Sequence, residues 1–457
     1  MSNVGEIICA PITPNGFSAI SVIRLSGKGC IELVAKHFSQ SRKLLALSSH
    51  RLIFGTFYSE SGEAIDEVLI SVFREPNSYT GEDCLEISCH GNPNLVYNII
   101  QTLLLSCRMA KPGEFTLRAF LNGKMDLSQA EAVNDLIQAQ ASKAEKAALM
   151  QLKGKLSNYL QELLNRITEL RIRFELAIDF ADQDLPMPDI NLMKQELMDI
   201  IKTAEELKST GEQGIKIREG IKICLTGAPN VGKSSLFNAL LQHNRAIVTP
   251  HPGTTRDYLE ECLSLNGFPI VIYDTAGLRE AKDDIEKEGI AKSYELMQRA
   301  DLILYLVEAK QIANLELELP ELIKLSTIPP ELQSKTLIVF SKADLMEENS
   351  PKISSGIYCS VKKENGLQAL TKAILNRLML SDELLTKPII INNRHLAALS
   401  KCINSLHQAD LSLKENLGFE FIAFELISAS NALEEILGII TTDDLLDKIF
   451  SEFCIGK

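Results

Sequence analysis

The apolar positions of the chain change period along its length. Up to about residue 120, short apolar runs alternate with turns, at Ile7-Ile8-Cys9-Ala10, Ile20 to Leu25, Leu52 to Gly55, Val68 to Phe73 and Cys84 to Cys89, the pattern of strands. Val34 to Phe38 and Leu95 to Leu105 keep helical spacing between them, so residues 1–120 are expected to form an α+β domain. From Asp126 the period becomes helical. Ser128 with Glu131 has the spacing of a capping box, and Ala130, Val133, Asn134, Ile137, Ala141, Ala144 and Ala148 carry one line onward. Leu160, Leu163, Leu164, Ile167, Leu170, Phe174, Ala177 and Ile178 make a second stripe, and Met193, Leu197, Ile200, Ala204 and Leu207 a third. The acidic, proline-containing segment Asp179 to Asp189 separates those two, and Gly211 and Gly214 are expected to end the helical stretch 121–214.

The middle of the chain reads differently. Ile221 to Thr226, Pro269 to Tyr273 and Thr336 to Phe340 are apolar runs of buried-strand length, with helical patterns at Leu236 to Leu241 and Leu367 to Leu378. These define an α/β domain at 215–380. Helical stripes then return over 381–457, at Leu396, Leu399, Ile403 and Leu406, at Phe421, Ala423, Phe424, Ile427 and Leu433, and in an amphipathic segment with Leu445, Leu446, Ile449 and Phe450. The expected fold is multidomain α/β, with the 215–380 domain inserted into a discontinuous helical domain. Insertion is tolerated because domain termini often lie close together.

The loops after the middle strands carry chemistry. Gly227-Ala228-Pro229-Asn230-Val231-Gly232-Lys233-Ser234-Ser235 stands between a strand and a helix, the context in which G-x-x-x-x-G-K-S cradles phosphates on backbone N–H groups. Lys233 is expected to reach the β- and γ-phosphates and Ser234 to ligate Mg²⁺. Asp274-Thr275-Ala276-Gly277 ends the second strand, where a carboxylate can hold Mg²⁺ through water and a glycine lets a backbone N–H approach the γ-phosphate. Ser341-Lys342-Ala343-Asp344 ends the third. Its carboxylate can accept from guanine N1 and the exocyclic amine, which adenine cannot supply, with the lysine stem along the base and Ser360, Val361 and Lys362 following a further short strand. In Thr249-Pro250-His251-Pro252-Gly253-Thr254-Thr255, Thr255 is the expected Mg²⁺ ligand of a loop that orders with GTP. An inserted Ras-like P-loop GTPase domain follows from this order of motifs.

Composition narrows the partners. With 45% hydrophobic and 23% charged residues the chain has an ordinary globular balance, and its formal net charge of -13 argues against generic nucleic-acid binding. Arg166, Arg171 and Arg173, and Lys216, Arg218 and Lys222, are the local basic runs, each read first as a solvated helix or strand edge. Ten cysteines without a C-x-x-C pair, an initial segment without a signal pattern and no bilayer-length apolar run predict free thiols and a cytoplasmic protein off the membrane.

The order GAPNVGKSS, PGTTRD, DTAGLRE and SKAD resembles the translation-factor-related GTPases. Together with SYTGEDCLEISCHG, PGEFTLRAFLNGKMDLSQAEAVNDLI and the terminal FCIGK, it resembles the tRNA modification GTPase MnmE (TrmE) family over the whole chain. The resemblance implies a GTPase that, with a flavin-dependent MnmG-like partner in a heterotetramer, modifies carbon 5 of wobble uridine (position 34) in certain tRNAs. The carbon would come from 5-formyltetrahydrofolate or a related tetrahydrofolate, giving aminomethyl or carboxymethylaminomethyl products. It implies that the first domain forms a homodimer and binds the folate through Arg24, Glu86 and Lys124, with Lys457 and Cys454 of the tail nearby. Leu278 stands where many GTPases place a water-orienting glutamine, and the resemblance assigns that work to Glu286 through a bridging water. It also implies a K⁺ ion held by Asn230, Thr249, His251 and Thr254, neutralising charge as an arginine finger would. Ser341 departs from the usual asparagine of the guanine motif, and weaker nucleotide binding is expected from its fewer hydrogen bonds. A GTP-controlled binding switch in ribosome assembly fits the middle of the chain equally well, but predicts a basic RNA-binding module after it.

Overall fold

The computed structural model describes residues 5–179, 189–244, 260–274, 293–312, 328–346, 356–363 and 366–457. The chain divides into two compact units, Met1–Asn134 with Leu433–Lys457, and Asp135–Ala432.

In the first unit a six-stranded sheet runs in the order β3-β4-β5-β2-β1-β6. Its strands are β1 (Ile8–Pro11), β2 (Ile20–Ser26), β3 (Arg51–Tyr58), β4 (Ala64–Phe73), β5 (Cys84–His90) and β6 (Arg108–Met109). Every pairing is antiparallel except β1 with β6. The inward side chains alternate along the strands, and Ile23, Leu25, Ile70, Val72, Leu85 and Ile87 form one core with Val34 and Leu103. Helix Leu127–Gln138 opens two residues earlier than the Ser128/Glu131 spacing suggests. Asp126 Oδ1 accepts from the Gln129 N–H at 2.9 Å and Gln129 Oε1 accepts from the Asp126 N–H at 3.0 Å, so the reciprocal cap is Asp126 with Gln129. Both pairs share the i, i+3 spacing, and Ser128 is instead fully buried.

In the second unit the sheet order is β12-β11-β10-β7-β9-β8. Its strands are β7 (Ile221–Gly227), β8 (Glu260–Leu265), β9 (Phe268–Asp274), β10 (Leu302–Glu308), β11 (Thr336–Ser341) and β12 (Ile357–Tyr358), all parallel but for the β8–β9 hairpin. A parallel sheet buried on both faces explains why β7, β9 and β11 read as mainly apolar runs. Helix Ser142–Leu152 docks on the hairpin turn: the Lys143 N–H donates to the Gly267 carbonyl at 2.8 Å. The same hairpin ends at Asp274.

Two helical expectations change. Gly211 stands at a helix boundary, opening Gly211–Glu219 just after Ile190–Ser209 ends, whereas Gly214 lies inside that new helix rather than at an end. They are small for packing: a Cβ on Gly214 would stand 2.0 Å from the Ile390 carbonyl oxygen and one on Gly211 2.7 Å from Leu396 Cδ1. Gly214→Ala must therefore move backbone, and unfolding should occur with a loss of about 3 kcal/mol, read as a lower Tm in a thermal melt. On helix Phe419–Leu437 the buried ridge is Ile422, Leu426, Ala429 and Leu433, while Phe421 and Phe424 are exposed. That helix is apolar on several sides, so periodicity alone did not choose its inner face.

Candidate functional site

The strand-loop-helix of the phosphate motif is present as β7, residues 227–233 and helix Lys233–Asn244. Gly227 has φ 140 and packs so closely on β10 that a Cβ there would lie 2.4 Å from the Leu306 carbonyl oxygen. Asn230 and Gly232 also have positive φ, the kind of backbone conformation from which a loop can present its amides to an anion. Lys233 is buried, and its Nζ donates to the Gly227 and Ala228 carbonyls at 3.1 and 2.9 Å. These bonds fix the ammonium over the loop interior, where phosphate oxygens are expected. Val231 is buried in the core beneath the loop, and Ser234 and Ser235 follow Lys233 in the helix's first turn.

Two of the residues expected near Mg²⁺ lie on described elements. Strand β9 runs parallel to β7 with Asp274 opposite Leu225, two residues before Gly227, so the two strand ends bring their loops side by side. Ser234 and Asp274 thus sit on adjoining elements. Thr249, Pro250, His251, Pro252, Gly253, Thr254, Thr255, Thr275, Ala276, Gly277 and Glu286 lie outside the described residues.

The base-recognition loop follows β11. Ser341 Oγ donates to the Val231 carbonyl at 2.5 Å and stands 3.2 Å from the Val307 carbonyl. The serine therefore makes the tie to the phosphate loop that asparagine usually makes, although one hydroxyl proton must serve both acceptors. Lys342 has φ 53, and its Nζ is 3.1 Å from Glu308 Oε2. Asp344 Oδ1 accepts from Ser360 Oγ at 2.6 Å, and Ser360 Oγ in turn accepts from the Lys362 N–H at 3.2 Å. That bond is the main reason the Asp344 carboxyl sits below its usual range, so it is ionised at neutral pH. Ala343 N–H donates to the Cys359 carbonyl, which anchors the loop to the segment carrying Ser360 and Val361.

A second cluster lies in the first unit. The β2–β5 register sets Arg24 opposite Glu86, and Arg24 Nη2 and Nε approach Glu86 Oε1 at 2.8 and 2.9 Å. The guanidinium lies 5.1 Å from the Tyr79 ring centre and 5.6 Å from that of Phe115. Phe115 N–H donates to the Lys457 carbonyl at 3.1 Å, and a Cβ on Gly456, at φ 96, would stand 2.5 Å from the Pro11 carbonyl oxygen. The tail is thus seated against the sheet. Burial, then the neighbouring Arg24 charge, push the Lys457 amine below its usual pKa. Lys124 Nζ donates instead to the Pro76 carbonyl at 2.9 Å.

Tyr79 and Phe115 were not singled out from the sequence, though both lie in the strings SYTGEDC and PGEFTLRAF. Nothing local marks an aromatic that flanks an arginine from elsewhere. Beneath them Arg118 reaches Glu82 at 2.9 Å and Glu114 at 3.1 Å, with both Arg118 and Glu114 almost wholly buried.

None of the ten cysteines is in a disulfide, and Cys454 is exposed. Burial pushes Cys84 and Cys402 up to about 12 and Cys89 and Cys359 up to about 11, so those thiols stay protonated. The basic runs are largely paired within the chain: Arg173 with Glu196 at 2.9 Å, Arg171 with Glu175 at 3.4 Å, Lys216 with Glu212 at 3.0 Å and Arg218 with Asp135 at 2.7 Å. Among the described residues no helix is long and apolar enough to cross a membrane.

A family model described as the MnmE helical domain matches residues 127–454, and one described as the GTP-binding protein TrmE N-terminus matches residues 7–124. A tRNA modification GTPase MnmE of Aquifex aeolicus is 42% identical over 458 residues, covering 99% of this chain and 100% of the relative. Another, of Protochlamydia amoebophila, is 40% identical over 457 residues, covering 99% and 98%. Among solved structures, a variant of Aquifex aeolicus Era bound to GDP and aluminium fluoride is 25% identical, covers 40% of this chain and 65% of that one, and superposes with a TM-score of 0.26, too low to carry an argument.

Proposed function

The chain belongs to the tRNA modification GTPase MnmE family, and from that premise we propose that its GTP hydrolysis serves a one-carbon modification of wobble uridine in tRNA. The observation that carries the nucleotide half is the joining of phosphate and base loops by Ser341 beside an ionised Asp344. Lys233 would hold the β- and γ-phosphates, and Ser234 with Thr255 and, through water, Asp274 would hold Mg²⁺, which when bound supplies positive charge between the phosphates. Glu286 would orient water. Asn230, Thr249, His251 and Thr254 would hold K⁺, so turnover should be faster in potassium than in sodium chloride at equal ionic strength. Equal rates would remove potassium from the reading.

The carbon half rests on Arg24, Glu86 and the tail. A carboxylate suits the amino and ring N–H groups of a pterin, and a cation suits folate's carboxylates. Arg24, Glu86 and Lys457 are therefore the proposed tetrahydrofolate contacts, with Lys124 on the bordering segment and Cys454 at the exposed end of the tail. The remaining elements of the proposal are a cytoplasmic homodimer and a flavin-dependent MnmG-like partner. The seating of helix Ser142–Leu152 on the hairpin that leads to Asp274 gives nucleotide-driven movement a mechanical path into the helices. Mass spectrometry of tRNA nucleosides from cells lacking the protein should show unmodified carbon 5 at position 34. Intact wobble bases there would overturn the assignment and favour the ribosome-assembly switch.

A further inference from the structure

We propose that Glu308 is a positioning residue for nucleotide binding: through Lys342 it holds the base-recognition loop against the phosphate loop. The inference rests on the guanine-nucleotide reading of this site. Glu308 ends β10 and is in register with Ser341, the last residue of β11. Its Oε2 meets Lys342 Nζ at 3.1 Å. Lys342 Cε, the carbon that carries this ammonium, lies beside the phosphate loop: a Cβ built on Gly232 would stand 4.0 Å from it, ordinary packing distance. The ammonium end of the side chain is thus held between Glu308 and the phosphate loop at Gly232.

That arrangement matters in this chain because its motif begins with serine. Ser341 Oγ has one proton for the carbonyls of Val231 and Val307, so it ties the junction by one strong bond at a time. Glu308 adds a second tie from the same strand end, β10, that carries Val307. A lysine side chain has much rotamer freedom to lose, and a stem ordered in advance leaves less to lose when a base lies along it. The bland alternative is a surface ion pair of little consequence, since the side chains of Lys342 and Glu308 keep 35% and 22% exposure.

Equilibrium binding of fluorescent GDP to the full-length protein at fixed ionic strength separates the two. Glu308→Gln should weaken binding about tenfold, the order expected from freeing one long side chain, and Glu308→Asp should recover most of it. In a Lys342→Ala background, Glu308→Gln should have no further effect, a coupling that a general loss of stability would not produce. Unchanged affinity in Glu308→Gln, or an equal loss in both backgrounds, would overturn the inference. Failure of the unsubstituted chain to bind GDP would instead overturn the nucleotide reading beneath it.

Discussion

Asp344→Asn is expected to turn the enzyme from GTP toward XTP, with kcat/KM for GTP falling on the order of a thousandfold. The geometry says why. Ser360 Oγ donates to Asp344 Oδ1 at 2.6 Å, and the amide oxygen of an asparagine can accept the same bond. The amide nitrogen then takes the position of the other carboxylate oxygen. It points its N–H groups at the exocyclic amine while the amide oxygen can still accept from N1–H, so one charge-assisted bond, about 1.5–3 kcal/mol, gives way to donors facing each other. Xanthine carries a carbonyl where guanine carries the amine, and there the amide finds an acceptor. Steady-state rates with both triphosphates measure the switch. A variant that still prefers GTP would mean that the base is read elsewhere.

How much of this was legible in the sequence depends on how local each requirement is. The phosphate loop was readable because its needs are met within one short stretch, Ile221 to Ser235: a strand, glycines at positive φ and a helix start. Strands β8 and β10 did not enter the sequence reading, since neither ends in a motif that draws the eye. Yet β10 supplies the Leu306, Val307 and Glu308 positions that brace both nucleotide loops. Gly214 shows the same limit, because its reason is Ile390, far along the chain. Arg24 and Glu86 were individually anonymous charges. Only the β2–β5 register sets them opposite each other, and only folding brings Tyr79, Phe115 and the tail beside them. A family resemblance found these positions because it encodes such distant pairings indirectly, whereas periodicity and composition do not. Ser341 is the opposite case. The sequence flagged a departure, and the structure gave the shorter side chain its own bond to Val231.

Arg24→Ala should weaken tetrahydrofolate binding about a hundredfold, corresponding to about 2–3 kcal/mol for a charged partner removed from a partly buried pair. The lower end of the buried-pair range applies because the Arg24 and Glu86 side chains keep 12% and 24% exposure. Removing the guanidinium leaves Glu86 without its neighbour and opens the space between Tyr79 and Phe115. It also lifts one of the two influences that hold the Lys457 amine below its usual pKa, so that pKa should rise and the amine stay protonated to higher pH. Arg24→Lys restores charge without the guanidinium's planar fork and should recover only part of the affinity. Titration calorimetry with 5-formyltetrahydrofolate reads the binding, and GTP turnover without tRNA serves as the control, because Arg24 belongs to the first compact unit and the nucleotide loops to the second. Loss of folate binding with intact turnover supports a ligand site. Unchanged folate affinity would make Arg24 and Glu86 a cross-strand ion pair of the sheet, which is the ordinary meaning of two opposite charges in register.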